Sequence, residues 1–183
     1  MSRNIYLTID DAPSKHMKKK VDFLEGHKIP ALFFCRGEFI PLYRDLVIDA
    51  IQKGFPIGNH SYSHPYFSSI SLEECFKEIL KTEELIDACY KTAGIERPFK
   101  VFRFPFGDRG GGEGILKIEE NKVEKIQNFI KDLGFVSLKF QHKNPDEFVD
   151  ILWDWDTEDY KAPLIQNSEK YLKKIGRILG ENA

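Results

Sequence analysis

The 183-residue chain is poor in cysteine and has no long apolar run, and these absences exclude several classes of protein. Its three cysteines, Cys35, Cys75 and Cys89, are odd in number and lack a disulfide-like spacing, so a reducing compartment is the simpler expectation. No stretch approaches the roughly 18 consecutive apolar residues of a membrane-spanning helix. The segment MSRNIYLTIDD enters a predicted strand without the apolar region of a secretory signal. The sequence therefore predicts a cytoplasmic protein with no membrane span.

The chain also lacks an excess of charge of either sign. Its 27 Lys and Arg residues are interspersed with 29 Asp and Glu, and the formal net charge is -2. A nucleic-acid-binding surface would need clustered basic residues, and the basic run from Lys18 to Lys20 lies in a helical pattern typical of a solvated face. With 42% hydrophobic and 13% aromatic residues, the chain has enough apolar material for a core. We expect a single domain over residues 1–183 with no nucleic-acid partner, and nothing indicates its oligomeric state.

Short β-rich runs alternate with longer helical patterns along the chain. This alternation predicts an α/β fold, in which a parallel sheet is covered by helices and the chemistry lies at the carboxyl ends of the strands. The run PALFFC is apolar throughout, as expected for a strand buried on both faces. The predicted strands are NIYLTI, PALFFC, FPIGN, KVFRF, FVSLKF and VDILWDW, and the predicted helices cover about residues 14–26, 41–53, 72–92, 117–133 and 168–179.

Polar residues that can do chemistry follow the ends of the predicted strands. Asp10 and Asp11 end the first strand, His60 and His64 follow the third within HSYSH, and Arg103 ends the fourth. Each has an ordinary explanation when taken alone, because Asp favours turns and caps, a His-x-x-x-His pair is usually incidental, and an Arg after a strand usually forms a surface ion pair. Their coincidence at one edge of one sheet favours a functional site.

The spacing of the two histidines indicates a metal. Imidazoles at i and i+4 on one helical turn can reach a single ion, and one carboxylate would complete a three-ligand set that leaves positions open, as in catalytic zinc sites. Adjacent residues of an extended strand point in opposite directions, so Asp10 and Asp11 are expected to serve as one ligand and one general base. Arg103 is expected beside the base, where a guanidinium would keep the carboxylate ready to accept a proton.

Four segments in order resemble the successive motifs of the polysaccharide deacetylase family, the NodB-homology group or carbohydrate esterase family four. They are TIDDAP (8–13), HSYSH (60–64), RFPFG (103–107) and WDWDTEDY (153–160). The connecting segments ALFFCRGEFI and GFPIGNHSYSHP are also similar, so the resemblance covers nearly the whole chain. It implies a distorted (β/α) barrel and metal-assisted hydrolysis of an acetamide, or less often an ester, on a sugar.

The resemblance also assigns roles to individual residues. It implies that Asp11, His60 and His64 bind a divalent metal, most simply zinc, with cobalt, nickel or manganese as alternatives. Asp10 would then be the general base that activates a metal-bound water. The substrate would be a carbohydrate carrying N-acetyl or O-acetyl groups, or a small amide.

Three further residues receive supporting roles from the resemblance. Arg103 would orient or tune the base, Asp159 would support Arg103, and the backbone amide of Phe106 would help to hold the oxyanion. Phe106 stands where the family usually has a tyrosine, but the role belongs to the backbone, so loss of the hydroxyl should matter little. Tyr160 replaces the usual tryptophan, which would reshape the acetyl pocket.

The chain departs from the family pattern at its end. The family closes with a Leu-x-His motif on a last strand, whose histidine is the usual general acid, and this sequence has no histidine after His142. We expect a chain truncated there, with a barrel that lacks its last strand and a gap beside YLTID, and a natural variant that lacks the acid is the alternative. Three interpretations stay open: a carbohydrate deacetylase, a hydrolase of a non-sugar C–N bond such as a formamide or ureide, and a non-catalytic metal- or carbohydrate-binding relic without its acid.

Overall fold

Three parallel strands form the sheet of the computed structural model, which describes residues 6–111, 121–138 and 148–151. These residues belong to one unit, Tyr6–Leu152. The strands are β1 (Leu7–Ala12), β2 (Ala31–Cys35) and β3 (Ile57–Asn59), in the order β1-β2-β3. A helix lies between each pair of consecutive strands, as a parallel connection requires. The predicted parallel α/β arrangement is confirmed in this part of the chain.

The strand β2 is buried along its whole length, as its unbroken apolar sequence predicts. All five residues of Ala31–Cys35 are buried. On one face Phe33 packs among buried side chains of the helices, and on the other Phe34 packs against Val101 and Ile151. Because successive side chains of a strand point to opposite faces, one short run serves two core clusters.

Four α-helices lie within the described residues, and two of them begin later than predicted. Their bounds are α1 Met17–Gly26, α2 Arg44–Gln52, α3 Leu72–Ala93 and α4 Lys122–Asp132. Ser14 does not cap α1, because its hydroxyl accepts a bond from the amide of His16 in a preceding turn. Pro41 does not open α2, because a short 3-10 helix and its following turns occupy the residues up to Tyr43.

The longest helix, α3, has the ends that its sequence predicts. The Ser71 hydroxyl accepts a bond from the Glu74 amide and the Glu74 carboxylate accepts one from the Ser71 amide, which together form a capping box. Gly94 ends the helix with a φ of 69°. Its buried side chains belong to two core clusters: Cys75 and Ile79 pack with side chains of α4, and Ile86 and Cys89 pack with side chains of β2 and α2.

The segment KVFRF follows β3 in space but does not form a regular strand, so this prediction was wrong in detail. It pairs through isolated parallel bridges, Asn59 with Phe102 and Lys100 with Phe135. The amide of Arg103 donates to the carbonyl of Asn59 at 3.0 Å. The chain turns immediately afterwards, so the segment is too short for a continuous ladder. It nevertheless brings Arg103 to the carboxyl edge of the sheet.

Other predicted elements lie partly or wholly outside the described residues. These are residues 117–120 of the fourth helix, the ends of FVSLKF and VDILWDW, and the helix at 168–179. The expected gap beside YLTID depends on the same residues and stays a prediction. All three cysteines are buried and free, and Lys18 to Lys20 are exposed, as expected. No helix in the described ranges has both the length and the apolar character needed to cross a bilayer.

Candidate metal centre

The ends of β1 and β3 bring Asp11, His60 and His64 together. Their potential ligand atoms all lie within 4.8 Å of one another. His64 Nε2 lies 3.5 Å from Asp11 Oδ1, and the centroids of the two imidazole rings are 4.8 Å apart. The three residues that were predicted from the sequence as metal ligands therefore form one cluster at the carboxyl edge of the sheet.

The two histidines lie on a loop, and the expectation of a helical turn was wrong. Ser61 and His64 have φ angles of 63° and 62°, and non-glycine residues seldom adopt this region. The turn is held locally, because the His64 amide donates to Ser61 Oγ at 3.1 Å and the Ser61 amide donates to Asn59 Oδ1 at 3.0 Å. A strained loop, rather than helical periodicity, thus brings the two rings together.

His60 is oriented by a single backbone group. Its ring is buried, and Nδ1 lies 2.8 Å from the carbonyl oxygen of Arg103. Because a carbonyl only accepts hydrogen bonds, Nδ1 carries the proton and Nε2 keeps its lone pair. Burial lowers the pKa of His60, and burial together with the neighbouring His60 lowers the pKa of His64. Both imidazoles are thus held in the neutral form that binds metals.

Asp10 and Asp11 occupy different environments. The carboxylate of Asp10 faces Arg103, whereas the side chain of Asp11 is 58% exposed beside His64. Simple alternation along a strand does not explain the difference, because Asp11 has a φ of 57° and the register of β1 on β2 shifts between Ile9 and Ala12. An irregularity at the end of β1 therefore directs the two carboxylates toward different neighbours.

Arg103 is buried and fully engaged. Its Nη1 donates to Asp10 Oδ1 at 2.7 Å and to Thr8 Oγ1 at 2.8 Å, and its Nε donates to the carbonyl of Ile151 at 3.1 Å. The guanidinium also lies 4.2 Å above the centre of the Phe34 ring. Thr8 was not singled out from the sequence, although its position two residues before Asp10 places it on the same strand face.

A second arginine, Arg36, approaches the cluster from the end of β2. Its Nη1 lies 3.7 Å from Asp11 Oδ1, and its Nη2 contacts Glu38 and, at 3.4 Å, the carbonyl of Ser63. The sequence reasoning missed Arg36. The rule that directed attention to Arg103, a charged residue directly after a strand, would have found it.

Phe106 lies beside the cluster and forms part of an exposed aromatic pair. Its ring stacks on Tyr66, with centroids 3.9 Å apart and planes 11° apart, and meets the ring of His64 edge-on at 4.6 Å. About half of each of the two stacked residues is exposed. Phe106 has a φ of 58°, a conformation that non-glycine residues adopt where the surroundings hold them. Asp159, the remaining predicted site residue, lies outside the described residues.

These observations define an α/β protein with a candidate metal centre at the carboxyl edge of a parallel sheet. Residues 1–118 match the family described as polysaccharide deacetylase, and the chain belongs to this family. The resemblance inferred from the four motifs is confirmed.

Two curated relatives illustrate the match. The chain is 37% identical over 93 residues to a chitooligosaccharide deacetylase of Rhizobium leguminosarum bv. trifolii, covering 50% of this chain and 43% of that protein. It is 34% identical over 105 residues to a peptidoglycan-N-acetylglucosamine deacetylase of Bacillus cereus, covering 57% of this chain and 36% of that protein. The chain thus spans less than half the length of these relatives.

Solved structures share the fold. A family 4 carbohydrate esterase from Streptomyces lividans, in complex with acetate, superposes with a TM-score of 0.62 at 22% identity, covering 86% of this chain and 66% of that one. A family 4 pseudoenzyme from Bacillus anthracis superposes with a TM-score of 0.63 at 20% identity, covering 96% and 60%. The predicted fold class, the distorted (β/α) barrel of these esterases, is confirmed.

Proposed function

We propose that this chain is a metal-dependent deacetylase that removes acetyl groups from acetylated sugars, N-acetyl groups above all. The observation that carries the proposal is a ligand cluster, Asp11, His60 and His64, directly beside a carboxylate, Asp10, that a buried arginine holds in place. Two curated relatives are named for deacetylation of chitooligosaccharide and peptidoglycan sugars, which supports the same reaction class.

The cluster fits a divalent metal by its donor chemistry. One carboxylate and two neutral imidazoles are a ligand set that catalytic zinc sites use, and three protein ligands leave room for substrate. The half-exposed Asp11 keeps one side of the cluster open to solvent. Zinc is our proposal, with cobalt, nickel or manganese as alternatives. A bound ion would polarise the acetyl carbonyl and make a water molecule more acidic.

Asp10 is proposed as the general base. Arg103 holds its Oδ1 at 2.7 Å, so the carboxylate is oriented before substrate arrives. It would take the proton of the attacking water and so raise the nucleophilicity of that water, a contribution worth roughly 10²–10⁴-fold. Thr8 binds the same guanidinium nitrogen and limits its movement.

The oxyanion is proposed to bind at the backbone amide of Phe106. Phe106 sits in the short 3-10 helix Pro105–Gly107, and its positive φ sets the direction of the neighbouring peptide groups. A fixed N–H donor at the place where negative charge develops is a strong catalytic device. Asp159 is proposed, from the family pattern alone, as a support for Arg103.

A sugar substrate is favoured over a small ureide by the aromatic pair next to His64. The rings of Tyr66 and Phe106 cover one face of each other, and because each residue is about half exposed, an outer ring face of about the size of a pyranose ring stays accessible. The C–H face of a sugar can pack on such a surface while its acetamide reaches the cluster, as edge-on contact with His64 places the pair at the cluster rim. A ureide carries its scissile C–N bond within its ring, so stacking on this pair would hold that bond away from the cluster.

The decisive experiment measures acetate and formate release from a panel of amides. The panel contains N-acetylated chitooligosaccharides, N-acetylglucosamine, a formamide and a ureide, each with zinc and with excess chelator. The proposal requires zinc-dependent acetate release from the oligosaccharides. Release from the formamide or ureide alone would support the non-sugar hydrolase, and zinc binding without any turnover would support the relic.

A further inference from the structure

The histidine loop is anchored by one carboxylate from α3. Oε2 of Glu78 accepts hydrogen bonds from the amides of Tyr62 at 2.9 Å and Ser63 at 2.7 Å, and Oε1 accepts one from the Ser63 hydroxyl at 2.9 Å. Hydrogen bonds to an ionised acceptor are among the strongest in proteins. Lys81, one turn further along α3, lies 3.5 Å above the Tyr62 ring. Two residues on adjacent turns of α3, Glu78 and Lys81, therefore contact the loop.

The anchored residues are the two that lie between the strained positions of the loop. Ser61 and His64 have positive φ angles, and Tyr62 and Ser63 separate them. A non-glycine residue keeps this conformation only where its surroundings hold it. Glu78 fixes both intervening amides at once, which prevents the loop from relaxing toward the common backbone regions.

The opposite side of the loop is held by backbone groups. The Gly37 amide donates to the carbonyl of Ser61 at 2.9 Å, and the Glu38 amide donates to the carbonyl of Tyr62 at 3.0 Å. The loop thus lies between the segment after β2 and helix α3. These backbone bonds do not involve the side chain of Glu78, so a substitution at position 78 should release one side of the loop alone.

We propose that Glu78 is a positioning residue of the metal centre. By accepting from Tyr62 and Ser63, it holds the loop in the conformation that carries the His64 ring to His60 and Asp11. The inference rests on the proposed role of the two histidines as ligands. The side chain of Glu78 is only partly buried, so its replacement should change the packing of α3 little.

The test compares Glu78→Ala and Glu78→Gln with Glu84→Ala, a control at an exposed position of the same helix. Zinc affinity is measured by competition with a chromophoric chelator, and unfolding of the metal-free protein is measured alongside. Glu78→Ala should weaken zinc binding about 10–100-fold, the range for groups that orient metal ligands, while the metal-free protein still unfolds cooperatively at a midpoint lowered by the loss of the three bonds. Glu78→Gln keeps an acceptor for both amides and should restore most of the affinity, and Glu84→Ala should match the parent.

The same variants also define the results that would contradict the proposal. Unchanged zinc affinity in Glu78→Ala overturns the proposal, as does a Gln variant as weak as the Ala variant. If Glu78→Ala does not fold, Glu78→Asp takes its place, because a carboxylate one methylene shorter cannot reach both amides and should also lose affinity. His64→Ala distinguishes failure of the positioning role from failure of the ligand assignment. If His64→Ala loses zinc and Glu78→Ala does not, only the positioning role of Glu78 is wrong. If His64→Ala keeps full affinity, His64 is not a ligand, and the positioning role of Glu78 is wrong as well.

Discussion

The guanidinium of Arg103, which is 2% exposed, contacts the carboxylate of Asp10 at 2.7 Å, and Asp10 is about one-third exposed. One charge of the pair is thus buried and the other reaches the surface of the site. A buried cation requires a partner, since leaving it unpaired costs far more than the pair gains over neutral packing. The ion pair therefore ties the stability of the fold to the orientation of the proposed base.

Asp10→Asn should abolish most turnover and retain the metal, whereas Asp11→Asn should lose both. Asn at position 10 can still bind Arg103 but cannot accept a proton, so activity should fall by about 10²–10⁴-fold. Zinc content after dialysis and acetate release from a chitooligosaccharide are the two measurements. Equal loss of zinc in the two variants would show that the division between base and ligand is wrong.

Arg103→Lys should destabilise the metal-free protein by about 1.5–3 kcal/mol, the range for hydrogen bonds that involve charged groups. A lysine keeps the charge but cannot bind Asp10, Thr8 and the Ile151 carbonyl at once. Urea unfolding measures the change. Arg44→Lys, at an exposed site, is the control and should stay within about 0.5 kcal/mol of the parent. If Arg103→Lys loses no more stability than Arg44→Lys, the hydrogen bonds of Arg103 do not contribute to the stability of the fold as expected.

Tyr66→Ala should raise KM for an N-acetylated oligosaccharide about two- to tenfold, with a smaller effect on kcat. The estimate converts the 0.5–1.5 kcal/mol of a typical aromatic contact into a ratio of affinities. Phe23→Ala, which removes an exposed aromatic ring from α1, serves as the control. If both variants behave alike, the aromatic pair does not bind the sugar.

Gly58→Ala should destabilise the protein by about 1–3 kcal/mol, because a Cβ at this position would lie 2.7 Å from two atoms of the Phe34 ring and 3.0 Å from Val101 Cγ2. Gly26→Ala, where a Cβ meets no atom within 4 Å, should instead be neutral or stabilise by up to about 1 kcal/mol. Thermal unfolding of the two variants gives the comparison. Equal effects would mean that the Phe34 ring and the Val101 side chain can move to admit a methyl group.

The capping box of α3 should make the stability of the protein depend on pH. Hydrogen bonds from the amide and hydroxyl of Ser71 hold the pKa of Glu74 below its ordinary value. A lowered pKa means that the stabilisation is complete above the ordinary value and disappears as the pH falls through the lowered one. The advantage of the parent over Glu74→Gln in urea unfolding should therefore shrink between pH 7 and pH 3. In the background of Ser71→Ala this pH dependence should be weaker, and a difference independent of pH would refute the assignment.

Local sequence patterns predicted the elements that local interactions determine. The bounds of α3 follow from the Ser71 and Glu74 box and from Gly94, and the burial of β2 follows from its unbroken apolar run. The starts of α1 and α2 were placed too early, because turns that compete with a first helical turn leave no distinctive pattern. The residues that form the cluster could be named because strand ends converge at one edge of a parallel sheet.

The shape of the histidine loop could not be predicted. A spacing of four residues has the period of a helix, and no sequence signal marks Ser61 or His64 as left-handed. Their conformation depends on partners distant in sequence, including Glu78 on α3. Arg36 was missed although its place directly after β2 is a sequence signal, and its contact with Asp11 arises when β1 and β2 pair.

A single residue, Arg103, contacts both a proposed metal ligand and the proposed base. The carbonyl of Arg103 accepts a hydrogen bond from His60 Nδ1, and its guanidinium donates one to Asp10 Oδ1. The separation between a proposed ligand and the proposed base therefore depends on the conformation of one side chain, which the bonds of its guanidinium to Thr8 and Ile151 fix. The two halves also differ in their tolerance of mutation: every amino acid supplies the carbonyl, so exchange of residue 103 leaves the hold on His60 in place and alters the partner of the base.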